Sequence, residues 1–395
     1  MSKKALILPG AGARGAYQVG VLKAMAECLP RRARNPFGII SGVSAGAINA
    51  AVLASRAQNF EAAVLDMEWV WSNFSVDQVY RSDNWTMLRS SLHWLAMLVS
   101  GGVIASKPSS LLDNQPLREL LAERIHFPRI KLAIERGHLD ALVITASAYT
   151  SARSVSFFQA PADYEPWSRV RRIGRAEKIT LDHLMASAAV PFLFPAVRIG
   201  GEYYGDGSMR HLSPLSSAIH LGADRLLVIG VRDEHPDPEP ALEDSAESPS
   251  LAHMAGYMLD TLFMDGLYSD LERIARINSI LEITKRKEIP RRQGALRQVE
   301  TLLILPSEDI REIAARHVNE LPRALRLLLK STGAMRRSGM QLVSYLLFES
   351  GFTSDLVKLG YRDGKAREED LRAFLFDQPV GSLDAPAFIR EQLEA

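Results

Sequence analysis

The amino end of the chain restricts the fold most. Ala5-Leu6-Ile7-Leu8 is a continuous apolar run, Gly10-Ala11-Gly12-Ala13-Arg14-Gly15 a glycine-rich loop, and Ala16 to Leu29 places Tyr17, Val19, Val21, Leu22, Met25 and Ala26 at helical spacing. A second apolar run, Phe37 to Ser41, follows. Runs apolar at successive positions belong in strands covered on both faces, and strand, helix and strand in this order predict a βαβ unit. Parallel strands joined this way need a sheet with helices on both sides, so the expected class is α/β.

The second strand runs directly into Gly42-Val43-Ser44-Ala45-Gly46 and then into small helix-forming residues up to Ala54. In a G-x-S-x-G elbow the serine occupies the tip of a strained turn, and flanking glycines let neighbouring backbone pass where a Cβ would clash. Ser44 is therefore a candidate nucleophile, with the positive end of the following helix beside its oxygen. The plain alternative is a tight turn without chemistry. The loop Gly10 to Gly15 also fits the G-x-G-x-x-G dinucleotide pattern, but an acidic residue should then close the second strand, and Ser41-Gly42-Val43-Ser44 stands there. Loop amides that converge on an oxyanion at Ser44 suit the neighbourhood better, with Arg14 either holding an anion or pinning the loop.

Composition narrows the partners. In 395 residues, 47 basic side chains face 46 acidic ones, and a formal net charge of +1 gives no general argument for nucleic-acid binding. Cys28 is the single cysteine, which excludes an intrachain disulfide and a cysteine-rich metal site. Met1 to Leu8 is too short in its apolar part for a secretory signal, so no export by that route is expected. The nearest approach to a membrane span, Leu92 to Ile104, is too short and holds His93, Ser100 and two glycines.

Further along, Leu111 to Ile125 reads as a short helix with Pro116 in its first turn. Asp140 to Ala146 and Ser154 to Phe158 read as paired strands, and Thr180 to Pro191 as a helix stopped by proline. Pro191-Phe192-Leu193-Phe194-Pro195 should be extended. Val197-Arg198-Ile199 and Glu202-Tyr203-Tyr204 form the arms of a hairpin that leads to Gly205-Asp206-Gly207-Ser208, and Leu226 to Val231 is one more buried strand. Residues 233–250 are acidic and proline-rich and read as a mobile loop; 251–395 read as mainly helical, with 299–306 a strand returning to the sheet. Trp85 to Val99 is apolar with two tryptophans, and Leu321 to Phe348 is helical with basic residues among leucines. Each reads first as packed structure and second as a peripheral membrane contact.

A serine nucleophile needs a base. His183, His211 and His220 are available but stand in no recognisable histidine motif; the alternative is a dyad, in which Asp206 would accept the Ser44 proton directly. Taken together, Gly10 to Gly15, Gly42 to Gly46, the run Ala186-Ser187-Ala188-Ala189-Val190-Pro191-Phe192-Leu193-Phe194-Pro195 and Asp206-Gly207 resemble the bacterial patatin-like phospholipases over Lys4 to Arg232. The resemblance implies a three-layer α/β/α fold with a central, mostly parallel sheet, here followed by a largely helical C-terminal region. It implies Ser44 as nucleophile, Asp206 as general base without a catalytic histidine, and main-chain N–H groups of Gly10, Ala11, Gly12, Ala13, Arg14 and Gly15 as the oxyanion hole, with Gly42, Gly46 and Gly207 supporting the motifs. Ala11 and Ser208 replace residues that are commonly glycine, and glycine or alanine, in the family. The implied activity is cleavage of lipid carboxylic esters, with a phospholipid or related ester as substrate, no metal, no organic cofactor and no nucleic-acid partner, in the cytoplasm or peripherally on the inner membrane face. The alternatives are a membrane-docking lipid-binding or regulatory protein and a histidine-dependent hydrolase or acyltransferase.

Overall fold

The computed structural model describes residues 2–81, 110, 112–211, 213–233, 248–284, 288–289, 296–336 and 339–379. Its strands are β1 (Lys4–Leu8), β2 (Ile39–Val43), β3 (Ala141–Ala148), β4 (Ser154–Gln159), β5 (Trp167–Arg169), β6 (Arg172–Ala176), β7 (Val197–Ile199), β8 (Glu202–Asp206), β9 (Arg225–Ile229), β10 (Glu288–Ile289), β11 (Leu296–Arg297) and β12 (Glu300–Ile304). The helices of the first half are α1 (Gly15–Glu27), α2 (Ala45–Ser55), α3 (Phe60–Ser72), α4 (Gln115–Arg124), α5 (Phe127–Glu135), α6 (Leu181–Ser187) and α7 (Ser216–His220). Those of the second half are α8 (Leu251–Asp260), α9 (Gly266–Ile283), α10 (Ile310–His317), α11 (Arg323–Ser331), α12 (Met340–Leu346), α13 (Ser350–Ala366) and α14 (Glu368–Leu375).

The main sheet runs β12-β9-β1-β2-β3-β4-β6-β5, with β8 pairing β3 and β7 off that path. The five strands from β12 to β3 are all parallel. Their continuous apolar runs match a sheet covered on both faces: β1 from Ala5 to Leu8, β2, β3 and β9 are buried throughout. Registers such as Ile7 opposite Ser41 on one side and Val228 on the other bring the carboxyl ends of β1, β2 and β9 to one edge, where ligands collect in open α/β sheets. β4 then turns back against β3, and the hairpin β7–β8 returns Asp206 to a position opposite Ala146.

The C-terminal helices close over this frame. α13 lies along α1, where the Tyr17 hydroxyl donates to Asp363 Oδ2 at 3.1 Å. β12 joins β9 at the sheet edge, so residues from both halves of the chain share one sheet.

Two local expectations change. Pro191 to Pro195 is a turn rather than an extended segment: Phe192 takes φ +66° and the Phe194 N–H closes on Val190 O at 2.9 Å. The fixed φ of Pro191 suits the first corner of such a turn. Leu321 to Phe348 divides into α11, with Leu327 and Leu328 exposed, and α12, with Met340, Val343, Ser344, Tyr345 and Leu346 buried. α4 spans Gln115–Arg124, inside the range expected from sequence. Trp85 to Val99 and residues 234–247 of the acidic loop lie outside the described residues.

Candidate active site

Ser44 sits between β2 and α2 with φ +54° and ψ −126°. A non-glycine residue there is strained, by on the order of 1–3 kcal/mol, and persists only where its surroundings hold it. They do. The Ser44 N–H donates to Ser187 Oγ at 2.9 Å, and the Ser187 hydroxyl donates in turn to Thr145 O at 2.7 Å. Glycine is required at Gly46 because a Cβ there would lie 2.1 Å from Leu8 O, so the first turn of α2 presses against the end of β1. Ser44 and Gly12 both line one cavity.

Asp206 ends β8. Its N–H donates to Ala189 O at 2.8 Å, and its Oδ1 accepts the Ser208 N–H at 2.9 Å. The short segment that begins α6's exit therefore grips both candidate groups, Ser187 holding the Ser44 backbone and Ala189 the Asp206 backbone. Burial pushes the Asp206 carboxyl up to about 6, against hydrogen bonds from the Ser208 main chain, the Ser44 hydroxyl and the Ser208 hydroxyl. The main-chain bond is the firm one. Asp206 Oδ2 and Ser208 Oγ are buried and reach no partner at full hydrogen-bond geometry.

The glycine-rich loop becomes a 3-10 turn over Gly12–Arg14. Arg14 N–H donates to Ala11 O at 3.0 Å and Gly15 N–H closes on Gly12 O, which engages two of the six loop amides within the turn itself. Gly12 and Ala13 open the turn, where N–H groups have no partner inside the helix. Gly12 has φ +52°, and a Cβ on it would meet Tyr345 O at 2.5 Å.

The Arg14 side chain turns away from the cavity and pins the loop. It is 2% exposed; it donates to Ser344 Oγ at 2.7 Å and to Asp260 Oδ1, Val231 O and the Tyr345 hydroxyl at 3.2–3.3 Å, and it lies over the Tyr345 ring at 4.0 Å. Asp260 also accepts from the Tyr345 hydroxyl at 2.8 Å and pairs with Arg232 at 2.9 Å. A second buried chain braces the loop from below: Trp71 Nε1 donates to Asn49 Oδ1, Asn49 Nδ2 to Gln18 Oε1, and Gln18 Nε2 to Pro9 O, each at 3.0–3.1 Å.

Sequence reasoning named Ser187 only as part of a run and missed Gln18, Asn49, Asp260, Ser344 and Tyr345. None of the histidines it weighed lines the cavity that holds Ser44. His183 Nδ1 accepts the Thr180 N–H that caps α6, with burial holding the ring down to about 4; His211 is buried and held down to about 4; His220 stacks on Trp167. Among the described residues no cluster of His, Cys, Asp or Glu is arranged to hold a metal ion. The cavity is walled by apolar side chains, among them Ile48, Val52, Met67, Val70, Leu121 and Phe194.

A largely parallel sheet between helical layers, with a serine elbow at its carboxyl edge, defines a three-layer α/β/α protein of patatin-like architecture. The chain belongs to the Patatin-like phospholipase family, whose model matches residues 6–219. No curated protein sequence matches it significantly. Among solved structures it is similar to human GIVD cytosolic phospholipase A2 in complex with methyl gamma-linolenyl fluorophosphonate, at 12% identity and TM-score 0.39, over 95% of this chain and 58% of that one. It is also similar to VipD from Legionella pneumophila, at 14% identity and TM-score 0.31, over 88% of this chain and 66% of that one. The chain thus spans less than two thirds of either protein.

Proposed function

We infer that the protein is a serine lipid acyl hydrolase with a Ser-Asp dyad. The observation that carries this reading is the strained Ser44, opening into an apolar cavity beside a buried carboxylate of raised basicity. Ser44 Oγ attacks the ester carbonyl while Asp206 accepts its proton. A base with pKa about 6 is mostly ionised at neutral pH yet binds a proton more readily than an ordinary aspartate. The amides of Gly12 and Ala13, with the N-terminus of α2, hold the tetrahedral oxyanion. The leaving alcohol takes the proton from Asp206, and water activated by the same carboxylate hydrolyses the acyl-serine. The acyl chain lies in the apolar cavity, which favours long chains because each methylene moved out of water gains about 0.8 kcal/mol.

The residues 4–232 supply nucleophile, base and loop in this reading, and 251–375 supply the parts that hold the loop. Labelling with a fluorophosphonate probe tests it directly. Ser44 should carry the label, and Ser44→Ala should lose both label and ester hydrolysis across phospholipids, lysophospholipids, neutral glycerides and p-nitrophenyl esters. Hydrolysis that survives Ser44→Ala in the folded protein overturns the proposal.

A further inference from the structure

α8 has two faces with different neighbours. Its inner residues Ala252, Gly256, Leu259 and Asp260 are buried. A Cβ on Gly256 would stand 2.8 Å from Leu342 N, so α12 packs directly against the α8 backbone. Leu259, with Phe263 of the π-helical turn Thr261–Asp265 that follows, lines the cavity, and Asp260 is the partner of Arg14.

The outer face is mainly apolar, with His253 as its exposed polar side chain. Leu251 is 68% exposed, Met254 45%, Tyr257 69% and Met258 60%, and no Asp, Glu, Lys or Arg occurs from Leu251 to Leu259. A solvent-facing helix ordinarily carries charge on its outer stripe, and a contiguous apolar stripe marks a contact surface. The start of α8 adjoins the end of α11, where the Ala252 N–H donates to Thr332 O at 3.1 Å. α11 exposes Leu327 and Leu328 beside Arg323, Arg326 and Lys330. Large apolar groups with a tyrosine, flanked by lysine and arginine, match the acyl boundary and headgroup layer of an anionic bilayer. The same basic rim would face itself across a symmetric contact between two copies, which disfavours a dimer.

We propose that α8, with the adjoining outer face of α11, docks the protein on an anionic phospholipid bilayer. Its use rests on the lipid-hydrolase reading, because α8 is also a wall of the cavity; the binding itself does not require Ser44. The test uses the full chain carrying Ser44→Ala, so that the vesicles stay intact, in cosedimentation with phosphatidylcholine vesicles with and without phosphatidylglycerol. The protein should sediment with the anionic vesicles and be released by salt. Met254→Asp with Tyr257→Asp should lower the partition at least about tenfold, since two large side chains no longer leave water. Arg323→Glu with Lys330→Glu should lower it on anionic vesicles only.

An unchanged thermal melting temperature shows that these variants fold. In the Ser44 background, Met254→Asp with Tyr257→Asp should leave hydrolysis of a soluble p-nitrophenyl ester unchanged. No binding to anionic vesicles, equal binding by the Met254/Tyr257 variant, or a dimer that this variant converts to monomer with binding retained would each overturn the proposal. Binding that behaves as expected in a chain without ester hydrolysis sinks the proposed activity and leaves the docking surface standing.

Discussion

Asp206→Asn keeps the shape of the side chain and its Oδ1 acceptor for the Ser208 N–H, and removes the charge. Burial raises the carboxyl from 3.8 to about 6, so the folded chain keeps a proton that the unfolded chain loses. A raised folded pKa contributes stability that is fully present below about pH 4 and is lost as pH rises through about 6. That rise corresponds to about 3 kcal/mol, which the wild type loses across that window and the non-titrating variant does not. The new amide group adds an offset of its own, about 1–3 kcal/mol if its N–H groups find no acceptor, but that offset is independent of pH. Urea denaturation at intervals from about pH 4 to pH 7 therefore reads the pH-dependent part alone, and the difference between variant and wild type should move toward the variant by about 3 kcal/mol. On the same samples kcat/KM should fall by about two to four orders of magnitude, the usual contribution of a general base. Parallel stability curves would refute the desolvated carboxylate, and retained turnover would refute its role as base.

Other expectations follow from single contacts. Ser208→Ala removes a hydroxyl that favours the charged form of Asp206, so the acid limb of the kcat/KM profile should move to higher pH by up to about one unit, measured with a soluble ester. Ser44→Gly should be more stable than Ser44→Ala by about 1 kcal/mol in chemical denaturation, because glycine accepts φ +54° without strain. Ser187→Ala leaves the Ser44 N–H without its acceptor; kcat should drop with little change in KM, as expected when the nucleophile is misaimed and the acyl cavity is intact. Asp260→Asn leaves Arg14 and Arg232 without their shared carboxylate and should cost about 3–5 kcal/mol in denaturation, with ester turnover falling in the fraction that remains folded.

The parts of this molecule that were legible in sequence are those set by neighbours in the chain. β1, α1, β2 and α2 announce themselves because apolar runs, glycines and helical spacing alternate within one short stretch. Ser44 and Asp206, the candidate nucleophile and base, are singled out by their glycine-flanked motifs. The partners of Arg14 were not, because they lie 246 and 330 positions away and nothing about Asp260 or Ser344 in their own surroundings marks them as recipients of a buried cation. The same distance explains Leu321 to Phe348: its basic and apolar residues suggest one surface helix, whereas Tyr345 is drawn inside by Arg14 and Asp260, and the segment divides. Pro191 to Pro195 misled for a different reason, since proline restricts its own φ and its predecessor but leaves Phe192 free to take the left-handed corner.

The long reach of Arg14 also bears on the order in which the protein matures. During synthesis the serine elbow emerges early, together with the strands that carry it. Gly12 and Arg14 emerge earlier still, yet the residues that seat them, Asp260, Ser344 and Tyr345, are made last among the parts of the site. Domains fold as their pieces leave the ribosome, and contacts of long sequence separation close late. In a nascent chain Ser44 therefore emerges well before the contacts that seat the neighbouring loop can form. Under the proposed mechanism, this order separates the making of the nucleophile from the making of the contacts that seat its oxyanion loop.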